Sequence, residues 1–170
     1  VVREKELGSI LNLYTTPVTR SEFLLGKQLP YVVLALLNFL LMVLLAVTVF
    51  GVPVTGSFAV LLAGALLYVI CATGIGMLAS SFTRSQVAAI FLAMIGSIIP
   101  ATQYSGLIDP VRSMDGVGRV IGSIYPSAHF IDISRGVFNK ALGFSDLHAS
   151  LRAMALAVPV IVGAGILLVR

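Results

Sequence analysis

The chain has 170 residues, of which 58% are hydrophobic and only 11% charged, with a formal net charge of +4 and a mean hydropathy of +1.05. Soluble domains carry about 25% charged residues, so this composition excludes a water-soluble domain and points to an all-α integral membrane protein. The basic residues are scattered and mostly flank apolar runs, a distribution that fits membrane orientation and argues against nucleic acid as a partner.

The first predicted element is an amphipathic cytosolic helix. Leu7, Ile10, Leu11 and Tyr14 make the i, i+3, i+4, i+7 stripe of a surface helix, while Arg3, Glu4, Lys5, Glu6, Ser9 and Asn12 fill the rest. Pro17 stops it. A second helix starts at once, because Thr19 and Glu22 have capping-box spacing and Val18 and Phe23 sit where a hydrophobic staple closes. Residues 1–29 therefore read as two coupling helices joined by a stiff corner at Thr16, Pro17 and Val18. Glu4, Glu6 and Glu22 flank that corner, which favours docking to a partner over a merely solvated face.

A transmembrane helix needs about 20 mostly apolar residues to cross a core about 30 Å thick, and residues 30–50, 57–80, 85–103 and 151–169 qualify. The third is the weakest, since its uninterrupted apolar core covers only 87–99. Pro30 and Pro159 lie where helices kink. Asn38, the one strongly polar side chain deep in the first span, is expected to bond to a neighbouring helix. Ala72, Gly76 and Ser80 recur every four residues in the second span, and Ala89, Ala93 and Ser97 do so in the third. Each is a small-residue seam that permits close helix approach, and bundle packing is a better reading of it than a substrate groove. Cys71, the single cysteine, has no partner for an internal disulfide.

The connection 104–150 is unlike an ordinary loop. It opens with Ser105 and Gly106, is broken at Pro110, Gly116 and Gly118, and turns a second corner at Tyr125 and Pro126. Ser127 then caps a predicted short helix with Phe130, Ile133, Val137 and Phe138 near one face, on which Asp132 and Arg135 are spaced to pair. Gly143 ends it, and Ser145 or Asp146 is positioned to cap the last span. So apolar a segment between two spans predicts a re-entrant helical region at the membrane interface.

Catalytic arrangements are absent. His129 and His148 have no metal-ligand spacing or cysteine partner, and no glycine-rich loop ends in Lys-Ser or Lys-Thr, so no metal, cofactor or nucleotide site is expected in this chain. Arg3, Lys5, Arg20, Lys27, Arg84 and Arg170 gather on the side of the amino-terminal segment, which favours placing that side in the cytosol. Arg112, Arg119, Arg135 and Lys140 would then lie outside, interspersed with Asp109, Asp115, Asp132 and Asp146. The first residues alternate in charge and do not read as a signal peptide. With Val1 at its start and Arg170 directly after an apolar run, the chain reads as a region of a longer protein.

The string from Arg3 through Glu4, Lys5, Glu6, Gly8 and Ser9, the run from Thr16 to Phe23, Gly26-Lys27 and Pro30-Tyr31 together closely resemble the cytosolic loop before the third span of bacterial ABC transporter permeases of the type-2, multidrug-exporter class. The order of the remaining elements is similar too. The resemblance implies a permease of six spans, of which this chain would supply the last four. It implies an ATPase-coupling role for Glu4, Glu6, Gly8, Thr16, Pro17, Arg20, Glu22, Phe23, Gly26 and Lys27. It also implies an extracytoplasmic re-entrant region carrying Ser105, Gly106, Tyr125, Pro126, Asp132 and Arg135. ATP and Mg would sit on a partner, an ABC ATPase subunit or fused cassette, and this chain would not be an enzyme. The other implied partners are a second permease half in a homo- or heterodimer, the earlier spans of the same permease and membrane lipid, all in the bacterial inner membrane. A membrane assembly or structural protein remains the alternative, followed by a secondary-transporter fragment. A secondary carrier is expected to hold ionisable groups at mid-membrane, and these spans have none.

Overall fold

The computed structural model describes residues 2–3, 7–8, 18–83, 85–107, 113 and 115–168. Their regular elements are the helices α1 (Arg20–Thr48), α2 (Phe58–Phe82), α3 (Gln86–Gln103), α4 (Gly116–Ile124), α5 (Pro126–Asn139) and α6 (Phe144–Leu168). Four of them, α1, α2, α3 and α6, are long and apolar enough to cross a membrane. The chain is thus an all-α membrane protein, as its composition predicts.

Helix α1 starts at the predicted capping box. Glu22 N donates to Thr19 Oγ1 at 3.3 Å, and Thr19 N donates to Glu22 Oε2 at 2.8 Å. Val18, the expected staple residue, is exposed. The helix then runs unbroken through Pro30, so the second coupling helix and the first span are one element of 29 residues. Proline removes one backbone donor and crowds a carbonyl. The turn before it anchors the helix, because Leu24 and Gln28, one turn apart, are both buried just before the proline.

Helix α6 begins at Phe144, well before the predicted 151. Asp146, His148 and Arg152 are exposed and depress the local hydropathy, whereas Leu147, Leu151 and Met154 form a buried i, i+4, i+7 stripe. Ser145 and Asp146 therefore lie inside the first turn instead of capping it from outside, and Gly143 N donates to Asp146 Oδ2 at 3.4 Å. Helix α3 is only 18 residues long and contains Pro100.

The hub is α2, which packs against α1, α3, α5 and α6, and α5 also packs against α6. Val60 and Leu61 of α2, Ile133 and Val137 of α5, and Leu147, Leu151 and Met154 of α6 form the core. Close approach is set by two glycines of α2. A Cβ at Gly64 would lie 3.0 Å from Ile133 Cδ1, and one at Gly74 would lie 2.7 Å from Ile161 Cγ2.

The carboxyl end of α5 is finished by the α1–α2 turn. Thr55 Oγ1 donates to the carbonyls of Val137 (2.9 Å) and Phe138 (3.0 Å), and Gly56 N donates to that of Val137 at 2.8 Å. Leu142 N donates to Gly136 O at 3.0 Å across Ala141, whose φ is +51°. This is the left-handed helix terminus that glycine usually occupies.

Candidate functional site

The amino-terminal coupling segment is described only in part. Glu4, Glu6, Thr16 and Pro17, with the corner they were expected to form, lie outside the described residues. Leu7 N donates to Arg3 O at 3.0 Å, but Gly8 has φ +70°, so an α-helix does not continue through it. Gly8 is the residue whose missing Cβ makes that left-handed conformation accessible, and Ile10, Leu11 and Tyr14 of the predicted amphipathic stripe lie outside the described residues. At the start of α1, Lys27 Nζ sits 4.7 Å from the centroid of the Phe23 ring, one turn below it. Glu22 is exposed beside the cap, and Gly26 has open space where a Cβ would be.

Gln28 ties this end of α1 to the bundle. It is 4% exposed, and its Nε2 donates to Ile70 O at 3.0 Å and to Thr73 Oγ1 at 2.9 Å on α2. Sequence reasoning overlooked it. The available signal was its place four residues after the apolar Leu24, on one face of the helix.

The other assembled region is α5 against α2. Ser127 Oγ donates to Tyr68 OH at 3.2 Å, and the Phe130 ring stacks on Tyr68 with centroids 4.8 Å apart and planes 9° apart. Phe39 of α1 closes the cluster edge-on to Phe130 at 6.0 Å and 70°. Further along, Ile133 covers Gly64 and Val137 covers Gly56. The two helices thus run antiparallel. The start of α5 meets α2 ten residues beyond Phe58, or about 15 Å along it at the helical rise.

The expected Asp132–Arg135 pair does not form. Asp132 is exposed, and Arg135 instead donates from Nη1 to Gly106 O at 2.9 Å and from Nη2 to Leu107 O at 3.3 Å. The two consecutive carbonyls past the end of α3 match the guanidinium fork better than one flexible carboxylate in water. Ser105, Gly106 and Arg135 are thereby brought together. Ser105 is buried and its hydroxyl donates to Ala101 O.

Tyr125 OH donates to Ser97 O at 3.3 Å, tying the Tyr125–Pro126 corner to α3. Ala72, Ser97, Tyr125, Pro126, Tyr68 and Ser127 line one cavity of about 290 Å³. The small-residue seams therefore divide. Ala72 and Ser97 face a hydroxyl-rich cavity, Ala89 is buried, Ala93 is half-buried and accepts the hydroxyl of Ser97, and Gly76 has no neighbour within 4 Å of its Cβ position. Ser80 Oγ donates to Gly76 O within its own helix at 2.9 Å. Within α2 the glycines that permit close packing are Gly64 and Gly74. Small size and four-residue spacing do not by themselves tell which face of α2 meets a neighbour.

Asn38 is exposed, so its expected bond to a neighbouring helix is not made among the described residues. Those residues hold no cluster of metal-ligating side chains. His129 Nε2 lies 2.9 Å from Ser123 O, and His148 Nδ1 lies 2.6 Å from Ser145 O.

Residues 1–167 match the family described as ABC-2 family transporter protein. The chain is 36% identical over 138 residues to the probable multidrug ABC transporter permease YbhS of Escherichia coli K12, covering 81% of this chain and 37% of that protein. It is 28% identical over 140 residues to the probable multidrug ABC transporter permease YbhR of the same organism, covering 82% of this chain and 38% of YbhR. It is 29% identical over 146 residues to the inner membrane transport permease YhhJ, covering 85% and 38%. No solved structure matches it. The chain thus spans little more than a third of the length of these relatives. Four apolar helices, the first of them capped at Thr19, and a sequence match that runs through all four make this chain a member of the ABC-2 family of transporter permeases.

Proposed function

We propose that this chain forms the moving transmembrane part of an ATP-driven exporter in the bacterial inner membrane. Its cargo would be drugs, since YbhS and YbhR are named as probable multidrug transporter permeases. ATP binding and hydrolysis occur on a separate ABC ATPase, and the membrane passage is completed by further spans and a second permease half.

The observation that carries this reading is the continuity of α1 from the Thr19 cap to Thr48. At about 1.5 Å per residue, 29 residues extend roughly 44 Å, more than the roughly 30 Å of the apolar core. The capped amino end accordingly projects past the apolar core as part of the same rigid rod. A push on Glu22, Phe23 or Lys27 is felt along the whole span, and Gln28 passes it to α2. ATP can bias only states that differ in contact with the ATPase, and this end, with Glu4, Glu6, Thr16, Pro17 and Arg20 beside it in sequence, is where such contact belongs. On the opposite side α5 acts as a re-entrant helix. It enters from the 104–143 connection and wedges between α2 and α6, with Tyr68, Ser97, Tyr125 and Ser127 supplying hydroxyls at depth for part of the cargo path.

The test uses the full-length permease with its ATPase in inverted membrane vesicles. An ATPase should co-purify, and Glu6→Lys should leave insertion intact while abolishing ATP-dependent uptake of a fluorescent amphiphile and the dependence of hydrolysis on it. If no ATPase co-purifies and uptake ignores ATP, the chain belongs to a structural or ion-driven membrane protein.

A further inference from the structure

Two cavities meet at the Tyr125–Pro126 corner. The hydroxyl-rich one of about 290 Å³ lies between α2, α3 and the start of α5. A second, of about 620 Å³, lies between α4, α6 and the same corner, where Val120, Ile121, Leu156 and Ala157 give it apolar walls. Ile75, Tyr125 and Pro126 line both, so the two compartments adjoin. Tyr68 lies near the middle of α2, which places the pair far from either end of that span.

The hydroxyl protons of the smaller cavity can be counted. Tyr125 OH donates to Ser97 O at 3.3 Å, Ser97 Oγ donates to Ala93 O, and Ser127 Oγ donates to Tyr68 OH at 3.2 Å. Among the described residues the Tyr68 proton meets no acceptor. One bond joins two hydroxyls here, so one proton of the pair is left over whichever of them donates. The ring that carries it is held in place by stacking on Phe130 at 4.8 Å, and Phe130 is braced edge-on by Phe39. A fixed donor in apolar surroundings without an acceptor is unfavourable, and a ligand oxygen removes that cost.

The larger cavity can hold the rest of such a ligand. Val120, Ile124, Leu156 and Val160 in its lining are exposed, so this chain leaves it open between α4 and α6. Its polar groups gather at the corner, where His129 Nε2 lies 2.9 Å from Ser123 O.

We propose that the two cavities form one binding site for a lipophilic molecule bearing a carbonyl, ester or ether oxygen. The apolar body lies against Ile121, Leu156 and Ala157, and the oxygen accepts from Tyr68 OH. The place of such molecules in the mechanism rests on the export reading above: they are the class of cargo that the site admits. Sites for drug-sized ligands occupy roughly 300–1,000 Å³ and are mostly apolar with a few fixed polar groups, and the paired cavities have that form. A neutral donor does the selecting, so an acceptor oxygen is distinguished from a hydrocarbon of the same shape. A bare acyl chain fills only the larger compartment.

The test uses the full-length permease in phospholipid nanodiscs, without ATPase or nucleotide. The probe is hexylbenzophenone, an uncharged ketone that inserts into nearby C–H bonds under ultraviolet light, and mass spectrometry locates its adducts. They should concentrate on residues 120–129 and 153–161, which line the larger cavity. Two photochemically inert competitors of one shape then read the hydrogen bond, since hexyl benzoate carries an ester and phenyloctane does not. Hexyl benzoate should suppress labelling at a roughly fivefold lower membrane concentration. Tyr68→Phe keeps the stacked ring but removes the proton, and should abolish that difference while labelling persists. Ala157→Phe fills the larger cavity and should remove the labelling, with Ala153→Leu in its place if that protein does not reach the membrane.

Adducts spread evenly along all spans, or unchanged by the filling variants, overturn the site. Equal competition by the two molecules in the wild type means that any acyl chain fills the groove, and overturns the selection for oxygen. A difference that survives Tyr68→Phe overturns the assignment of the donor. Because neither ATP nor transport is read, loss of ATP-dependent uptake in the assembled exporter would sink the export reading and leave binding standing, and absence of binding would do the reverse.

Discussion

Arg135 donates from Nη1 to the carbonyl of Gly106 at 2.9 Å, joining the middle of α5 to the turn that follows α3. A second donor from the same guanidinium reaches Leu107 O at 3.3 Å. One side chain thus fixes where the connection leaves α3 relative to where it turns back into the bundle.

Replacing Arg135 with Gln should therefore lower the thermal midpoint of the detergent-solubilised protein. Hydrogen bonds to a charged group contribute about 1.5–3 kcal/mol, and Lys, with point-like donors, should recover less than half of the loss. A Lys variant as stable as wild type would show that charge alone matters there and that the two-carbonyl geometry does not.

Two glycines of α2 should respond oppositely to the same methyl group. At Gly74 a Cβ would meet Ile161 Cγ2 at 2.7 Å, whereas at Gly76 it meets nothing within 4 Å. Gly74→Ala should cost about 1–3 kcal/mol through overpacking, and Gly76→Ala should be neutral or gain up to about 1 kcal/mol of helix propensity. Melting of the two variants side by side decides it, and equal effects would contradict the packing described for α2 and α6.

Ala141 holds φ +51° in the turn that ends α5. Ala141→Gly relieves the Cβ clash of the left-handed conformation, worth about 1–2 kcal/mol, and should raise the melting temperature without altering the fold. A drop in stability would mean that unfolded-chain entropy outweighs the strain.

Gln28→Leu keeps the volume of the buried side chain but removes both bonds to α2. The Ile70 carbonyl stays within its helix, so stability should fall by only about 1 kcal/mol, while ATP-dependent transport should fall much further because α1 slips relative to α2. Transport reduced no more than folded yield would assign Gln28 a packing role alone.

Single cysteines at Ser85 and Ser113, both exposed, in a Cys71→Ala background should react with an impermeant maleimide from opposite sides of the membrane. Labelling from the same side would remove α3 from the set of spanning helices.

The four apolar helices and the Thr19 cap were legible because each is written locally, in hydropathy and in a three-residue spacing. The continuity of α1 was not, because proline and charge both argue for a boundary at 30, and only the tertiary burial of Leu24 and Gln28 holds the helix through it. The early start of α6 was hidden for the same kind of reason, since a one-sided stripe at Leu147, Leu151 and Met154 is diluted by Asp146 and Arg152 in any average. The partner of Arg135 was out of reach, as a carbonyl 29 residues away leaves no mark in a sequence. Asp132, three residues from it, was the obvious candidate and the wrong one.

The shortness of α3 sets a relation between the protein and the thickness of its bilayer. Eighteen residues at about 1.5 Å give roughly 27 Å, while α2 and α6, with 25 residues each, are roughly 37 Å long by the same rise. Helix α3 packs chiefly on α2 and is little covered by the other described helices, so wherever acyl chains reach it they must match its length directly. In a thin membrane α3 spans comfortably and its longer neighbours tilt; in a thick one the lipid must compress around it, at a cost of fractions of a kcal/mol per Å. Acyl-chain length thus becomes a control on the angle between α3 and the rest of the bundle.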